Sequence, residues 1–258
     1  DDAVYKTSVD YQKRFGGEAN LTVITMDEGH TVKELATNPA NRRAIEETSA
    51  ALRKVPGVRG VIDPLVALDL SNRLLTRCIS DACSPDPNAP TLQNLLGSVA
   101  ATSLTKAIAA APEADKAARE ADNATTSGKV LAIPEDQRQI GTEAWTDFLL
   151  HDNQGEIRMA QRPVFPDDRH AMILTRFDGN LKVDPATEAT NKTYDIVENL
   201  KLEGATVHTT GAPKLLVEIN DYLRGGMLQL GGIALAIMVL ILLLLFDVRW
   251  RLLPLGVI

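Results

Sequence analysis

One uninterrupted apolar segment constrains this chain more than any other feature of its sequence. Residues Met227–Phe246 contain no charged side chain and a single amide, that of Gln229. A helix of about 20 residues rises about 30 Å, which is the thickness of the hydrocarbon core of a bilayer. A buried helix of a soluble protein normally keeps a polar stripe, and one amide does not make one. We therefore predict a transmembrane helix over Met227–Phe246.

The short polar break after this segment predicts its orientation. Arg249, Trp250 and Arg251 stand between the apolar run and a second apolar stretch, Leu252–Ile258. Arginines in a short loop mark the cytoplasmic side of a membrane, and tryptophan is typical of the interface. We predict that these three residues are membrane-interface anchors on the cytoplasmic side. Residues 1–226 then lie on the opposite, periplasmic or extracellular side.

Both ends of the sequence predict further membrane segments. No leader with a basic region and an apolar core precedes the exported part, so we expect a span upstream of it. The seven residues Leu252–Ile258 are too few to cross a bilayer, and we interpret them as the start of the next transmembrane helix. The protein is therefore predicted to be a multi-pass protein of a bacterial plasma membrane.

Composition and charge exclude several classes of protein. The 258 residues are 45% hydrophobic and 24% charged, which is typical of globular chains and excludes wholesale disorder or a collagen. The formal net charge is −7 and no strongly basic tract is present, so a nucleic acid is not expected as a partner.

The exported part contains two segments with the same order of signals. Residues 1–67 and 166–212 each read as a strand, a helix that begins near a cap residue and a proline, and a second strand. The signals in the first half are Asn20–Met26, Asn38-Pro39 and Val58–Ile62, and those in the second are Ala171–Phe177, Asp184-Pro185 and Thr206–Thr210. Two β-α-β units predict an α+β fold, a ferredoxin-like split β-α-β sandwich. The alternative is that two ordinary amphipathic helices share a common start signal.

Between the two halves, residues 68–165 form a predicted insertion that is mostly helical. Helices are predicted after Thr91, over Pro112–Thr126 and after Pro134, and Glu156–Met159 is predicted as an edge strand. Beyond the second half, an amphipathic helix over residues 213–226 connects the domain to the transmembrane segment. Either this helix runs continuously into the span, or Gly225 and Gly226 form a flexible joint.

The sequence contains few signals for chemistry. We find no nucleophile elbow, phosphate loop or zinc-protease motif, and the four histidines lack metal-ligand spacing, so no catalytic or metal residue is predicted and the chain is not expected to be an enzyme. Cys78 and Cys83 are spaced as a C-x4-C pair in a region rich in turn residues. On an exported domain, a local disulfide is favoured over two free thiols.

Three stretches together resemble a known superfamily. They are Tyr11-Gln-Lys-Arg-Phe-Gly-Gly17, Thr210-Gly-Ala-Pro213 before the amphipathic helix, and Phe246-Asp-Val-Arg-Trp-Arg-Leu-Leu-Pro254 after the span. In this order the chain resembles the RND (resistance–nodulation–division) superfamily, particularly its MMPL-like and hydrophobe/amphiphile exporter branches. The long alanine-rich insertion is where it departs most from that pattern.

The resemblance implies a membrane exporter driven by a proton gradient, with no other cofactor, whose porter domain handles lipids, drugs or other amphiphiles. Its partners would be the bilayer, the amphiphilic substrate, the remaining transmembrane helices and further copies in a homo-oligomer. The proton-relay carboxylates would lie on later spans, and no individual substrate-binding residue can be named. The alternative from a different class is an exoplasmic sensor anchored by one helix. A sensor should continue into a cytoplasmic domain after Arg251, whereas apolar sequence resumes at once.

Overall fold

A computed structural model describes residues 2–81 and 83–245 of the chain. Within these residues four strands form one antiparallel sheet: β1 (Ala19–Met26), β2 (Val58–Ile62), β3 (His170–Phe177) and β4 (Ala205–Thr210). The strand order is β2-β3-β1-β4, so that β1 and β3 pair in the centre, from Ala19 opposite Arg176 to Thr25 opposite His170. The four strands lie where the sequence predicts them, to within one residue at their ends.

The helices of the two halves begin at their predicted signals, with one displacement. Helices α1 (Asp2–Phe15), α2 (Glu34–Thr37) and α3 (Pro39–Leu52) precede β2, and α9 (Val183–Glu198) lies between β3 and β4. The Oδ1 atom of Asn38 accepts hydrogen bonds from the backbone N–H groups of Ala40 and Asn41, which caps α3 as predicted.

Helix α9 begins earlier than the Asp184-Pro185 signal predicts. Its N-cap is Lys182, and Pro185 lies within its first turn. Backbone N–H groups of the first turn have no partner inside a helix, so a proline is accepted at several of those positions and does not mark the start uniquely.

The predicted insertion is helical, with different boundaries. It contains α4 (Pro64–Thr76), α5 (Leu92–Leu96), α6 (Val99–Ala109), α7 (Glu113–Ala132) and α8 (Glu143–Leu150). The predicted boundary at residue 68 falls inside α4, which begins where the carboxylate of Asp63 caps it and Pro64 occupies its first position. Helix α7 continues six residues beyond the predicted end at Thr126.

Two predicted helices of the insertion are interrupted by glycine. Gly97 separates α5 from α6, and a side chain there would collide with Ser80 and Cys78. The helix predicted after Pro134 is a short 3-10 turn, Glu135–Gln137, because Gly141 adopts a left-handed backbone conformation (φ 100°) before α8 begins.

The predicted edge strand Glu156–Met159 is wrong. Ile157 forms only an isolated bridge with His151, and no sheet strand lies there. The segment is held against the C-terminal end of α8 instead, because Arg158 donates from its backbone N–H to the carbonyl of Leu150 and from Nε to the carbonyl of Phe148.

The insertion and the sheet share one hydrophobic core. Ile24 of β1 and Ile173 of β3 belong to the same cluster of buried side chains as Ile45 of α3 and Trp145 and Leu149 of α8. All five are at most 1% exposed. The insertion therefore packs onto the β-α-β halves through apolar contact and does not stand apart from them.

Candidate functional site at the membrane-proximal cavity

The final helix, α10 (Ala212–Leu245), is a single uninterrupted helix of 34 residues. It is the one helix among the described residues that is long and apolar enough to cross a membrane, and its most apolar part is not buried against the rest of the chain. At about 1.5 Å per residue, 34 residues rise about 51 Å. Roughly 20 Å therefore remain beyond a bilayer core of about 30 Å. Of the two alternatives for Gly225 and Gly226, the structure has the continuous helix.

A cavity of about 350 Å³ lies where α10 leaves the domain. Its walls come from the segment after α1, the end of β3, the first two turns of α9 and the first two turns of α10. Residues from each wall are Gly17, Phe177, Leu181, Thr190 and Leu216. Phe177 and Leu181 belong also to a small apolar cluster with Val55 and Ala189, so the floor of the cavity is apolar.

Two contacts hold the start of α10 against the domain. Val217 is 4% exposed and lines the cavity, although the neighbouring Leu215 and Leu216 are more than half exposed. The ammonium group of Lys214 lies 3.9 Å from the ring centroid of Tyr194 on α9. Helix α10 thus contacts α9 and the sheet along one narrow face, and its other apolar side chains remain uncovered in the described residues.

A glycine fixes the turn from β4 into α10. Gly211 has φ 136°, and a Cβ atom at this position would lie 2.8 Å from the carbonyl oxygen of Ala19. Both the backbone conformation and the close approach require glycine. Its carbonyl accepts a hydrogen bond from the N–H of Leu215, which begins the helix at this point.

The charged groups around the cavity are acidic. Glu18 and Asp178 are the charged side chains in its described lining, and the nearest atoms of Asp178 and Arg59 are 3.9 Å apart. Gln12, Asn180 and Asn220 add uncharged polar groups.

Beside the cavity, buried polar side chains connect β1 to α9. Asn20 donates from Nδ2 to the hydroxyl of Thr193 at 3.1 Å, and Thr193 donates to the carbonyl of Thr190 at 2.8 Å. The Oδ1 atom of Asn20 is buried without a hydrogen-bond partner among the described residues. These buried polar side chains lie at the end of the sheet from which α10 departs.

The predicted site residues fall into two groups. Arg249, Trp250 and Arg251 lie outside the described residues, as does the stretch Leu252–Ile258. Cys78 and Cys83 are joined by a disulfide, with their Cα atoms 5.7 Å apart. The cavity itself was not predicted from the sequence, because its lining comes from four segments that are distant along the chain.

Three of the four histidines, His30, His151 and His170, contact carboxylates. His151 contacts Asp147 at 3.0 Å through Nδ1 and Asp168 at 2.8 Å through Nε2, which ties α8 to the segment before β3. His30 contacts Glu34 at 2.7 Å, and this hydrogen bond raises the pKa of His30 above its ordinary value. In the part of the chain that the structure describes, no group of three or more His, Cys, Asp or Glu could hold a metal ion.

An α+β domain with a four-stranded antiparallel sheet is continued by one long apolar helix that fits a membrane span. The family model described as "MMPL family" matches residues 3–258. The chain therefore belongs to the MMPL family, whose members are membrane transporters of the RND type. Comparison with curated proteins and with solved structures gave no match.

Proposed function

We propose that this chain is the substrate-handling porter domain, with its coupling helix, of a proton-driven exporter of lipids, drugs or other amphiphiles. The strand order β2-β3-β1-β4 with antiparallel neighbours supports a ferredoxin-like arrangement of the two β-α-β halves. The proposal includes an exoplasmic position for residues 1–226, a multi-pass chain, and no covalent chemistry on the substrate.

One observation carries this proposal: the helix that forms a wall of the cavity is also the predicted membrane span. Pro213, Leu216, Val217 and Asn220 line the cavity, and α10 continues from them to Leu245 without a break. A rigid helix transmits displacement along its length, so movement of its membrane part changes the width of the cavity. This is the coupling that an exporter needs between its proton-driven part and its substrate.

The lining supports an amphiphilic substrate. The floor formed by Phe177 and Leu181 would hold an apolar chain or ring, while Glu18 and Asp178 at the edge would face a neutral or cationic polar group. A substrate that enters from the outer leaflet would reach this cavity along the exposed apolar side chains of α10, which include Leu215 and others near the membrane.

The experiment fills the cavity and measures efflux. Ala186 is half buried on the cavity side of α9, and Asn191 is exposed on the same helix and lies outside the lining. In cells that produce the protein, Ala186→Trp should reduce efflux of a fluorescent lipophilic cation at least about tenfold, because the indole occupies the cavity. Asn191→Trp should leave efflux unchanged. Unchanged efflux in both variants, at equal amounts of protein in the membrane, would exclude this cavity from the transport route.

Sidedness has its own test. In a variant without Cys78 and Cys83, a single cysteine replaces either Asn123 or Arg249, and intact cells are treated with a membrane-impermeant maleimide. Labelling at position 123 and protection at position 249 support the exoplasmic position of the domain. The reverse pattern would overturn it.

A further inference from the structure

A second cavity, of about 260 Å³, lies among the helices between β2 and β3 and shares no lining residue with the membrane-proximal cavity. Its floor contains Leu95 and Phe148, which are 8% and 6% exposed. Its rim contains Leu96, Leu104 and Leu131, which are 72%, 38% and 54% exposed. We refer to it as the insertion cavity.

The rim leucines leave apolar surface in contact with water around an apolar cavity. A ligand that covers them would remove this surface from water, so the rim points to a ligand. A mostly apolar cavity of this kind binds apolar molecules of matching size, because binding removes the apolar surface of both from water. A methylene group and a water molecule displace similar volumes, about 30 Å³ in the liquid, so this cavity accommodates roughly eight or nine carbon atoms. That is the size of a single unbranched alkyl chain.

The polar groups in the lining are all uncharged. They are Ser98, Asn123, Thr126 and Ser127, and no charged side chain belongs to the described lining. The hydroxyl of Ser98 caps α6 and that of Thr126 bonds to Asp122 and Asn153.

Two of these polar side chains remain available to a ligand. Asn123 and Ser127, on adjacent turns of α7, make no side-chain hydrogen bond within the described part of the chain. An amide and a hydroxyl can bond to an alcohol or ester, whereas a charged group buried here would lack a counter-ion.

Contacts on two sides hold the walls of this cavity. Ser98 forms an isolated bridge with Cys78, and Cys78 is bonded to Cys83. On the opposite side, the Phe148 ring stacks on Trp145 with centroids 5.4 Å apart, and the guanidinium of Arg158 lies 4.9 Å from the Phe148 centroid. A cavity whose walls are held from both sides requires little ordering when a ligand enters.

From this geometry we propose that the insertion cavity is a binding site for one medium-length alkyl chain with an uncharged polar head. The alkyl chain lies against Leu95 and Phe148 beneath the rim leucines, and the head bonds to Asn123 and Ser127 on α7. This site is separate from the membrane-proximal cavity, and it stands whether or not that cavity carries the transported substrate.

Tryptophan fluorescence tests this site directly. The chain has two tryptophans, so Trp250→Phe leaves Trp145 as the single reporter, stacked on the cavity residue Phe148. The full chain in lipid nanodiscs is titrated with an alcohol of about nine carbons that carries a terminal bromine, a short-range heavy-atom quencher that does not require direct contact with the indole. We expect saturable quenching, and we expect a carboxylate of the same length to bind at least about tenfold more weakly at neutral pH.

Paired variants separate binding in the cavity from partition into the lipid. Ala101 lines the cavity and Ala107, on the same helix, does not. Ala101→Phe should weaken binding at least about tenfold, and Ala107→Phe should not change it. Ser127→Phe fills the same cavity from α7 and should also weaken binding. It tests the site independently in case Ala101→Phe does not fold. Ala124→Phe, on the same helix, is its control.

Any one of four results would overturn the proposal. The first is unsaturable quenching, and the second is equal affinity of the alcohol and the carboxylate. The third is the same affinity in the filled variants and their controls. Concentration-dependent dimerisation of the chain that buries the rim leucines and excludes the alcohol would likewise assign this surface to a second copy instead.

Discussion

Truncation of Val217 should loosen the attachment of the start of α10 to the domain. Val217→Ala removes two carbon atoms from a side chain that is 4% exposed. At about 0.8 kcal/mol per buried carbon, the docked state loses about 1.6 kcal/mol. Since about 1.4 kcal/mol corresponds to a factor of ten, the undocked population should rise roughly 15-fold.

Hydrogen exchange of the full chain in nanodiscs measures this undocking. Undocking frees the first turn of α10 to fray, so the amides of residues 215–217 should exchange roughly 15-fold faster in Val217→Ala. Leu215→Ala is the matched control, because it removes three carbon atoms from a side chain that is 57% exposed and should change exchange little. If both variants accelerate exchange equally, the contact at Val217 does not hold α10, and the coupling argument fails.

Three further predictions concern the domain itself. Asp63→Ala removes the cap of α4 and an ion pair, so the free energy of unfolding should fall by about 2 kcal/mol. A lower thermal midpoint measures this loss. Asp63→Asn keeps the cap and should lose less stability. The raised pKa of His30 means that its contact with Glu34 stabilises fully below about pH 6.5 and is lost as pH rises through the folded-state pKa. The difference in thermal midpoint between the wild type and His30→Gln should therefore shrink between pH 6 and pH 9, and a constant difference would contradict this. Reduction of the bond between Cys78 and Cys83, which closes a loop of sequence separation 5, should destabilise the chain by about 2 kcal/mol, measured as a lower denaturant midpoint than in the oxidised chain.

The sequence predicts the strands of this protein well because their signals are local. β-Branched residues mark β1, a run of apolar residues (Ala171–Leu174) marks β3, and Asn38-Pro39 marks the start of α3. The same kind of signal stands at Asp63-Pro64 and starts α4 by the same capping chemistry, although no helix is predicted to begin there. The transmembrane segment is predicted by composition alone, since a bilayer imposes length and polarity directly.

The breaks in the predicted helices and the positions of the cavities depend on residues that are close in space but distant along the chain. The break at Gly97 exists because the disulfide loop occupies the space that a side chain would need, and nothing in its own neighbourhood of the sequence indicates this. The membrane-proximal cavity likewise combines residues as distant along the chain as Gly17 and Leu216. Such sites depend on tertiary packing, which periodicity and capping signals do not encode.

The length of α10 makes it a lever. Val217 lies about 29 Å along the helix axis from the middle of the predicted span, at about 1.5 Å per residue. If the helix pivots by about 10° about the middle of the span, its end at the cavity moves roughly 5 Å, which is comparable to the width of an alkyl chain. A modest tilt of the part of α10 in the bilayer would thus be enough to open or close the membrane-proximal cavity at the other end of the helix.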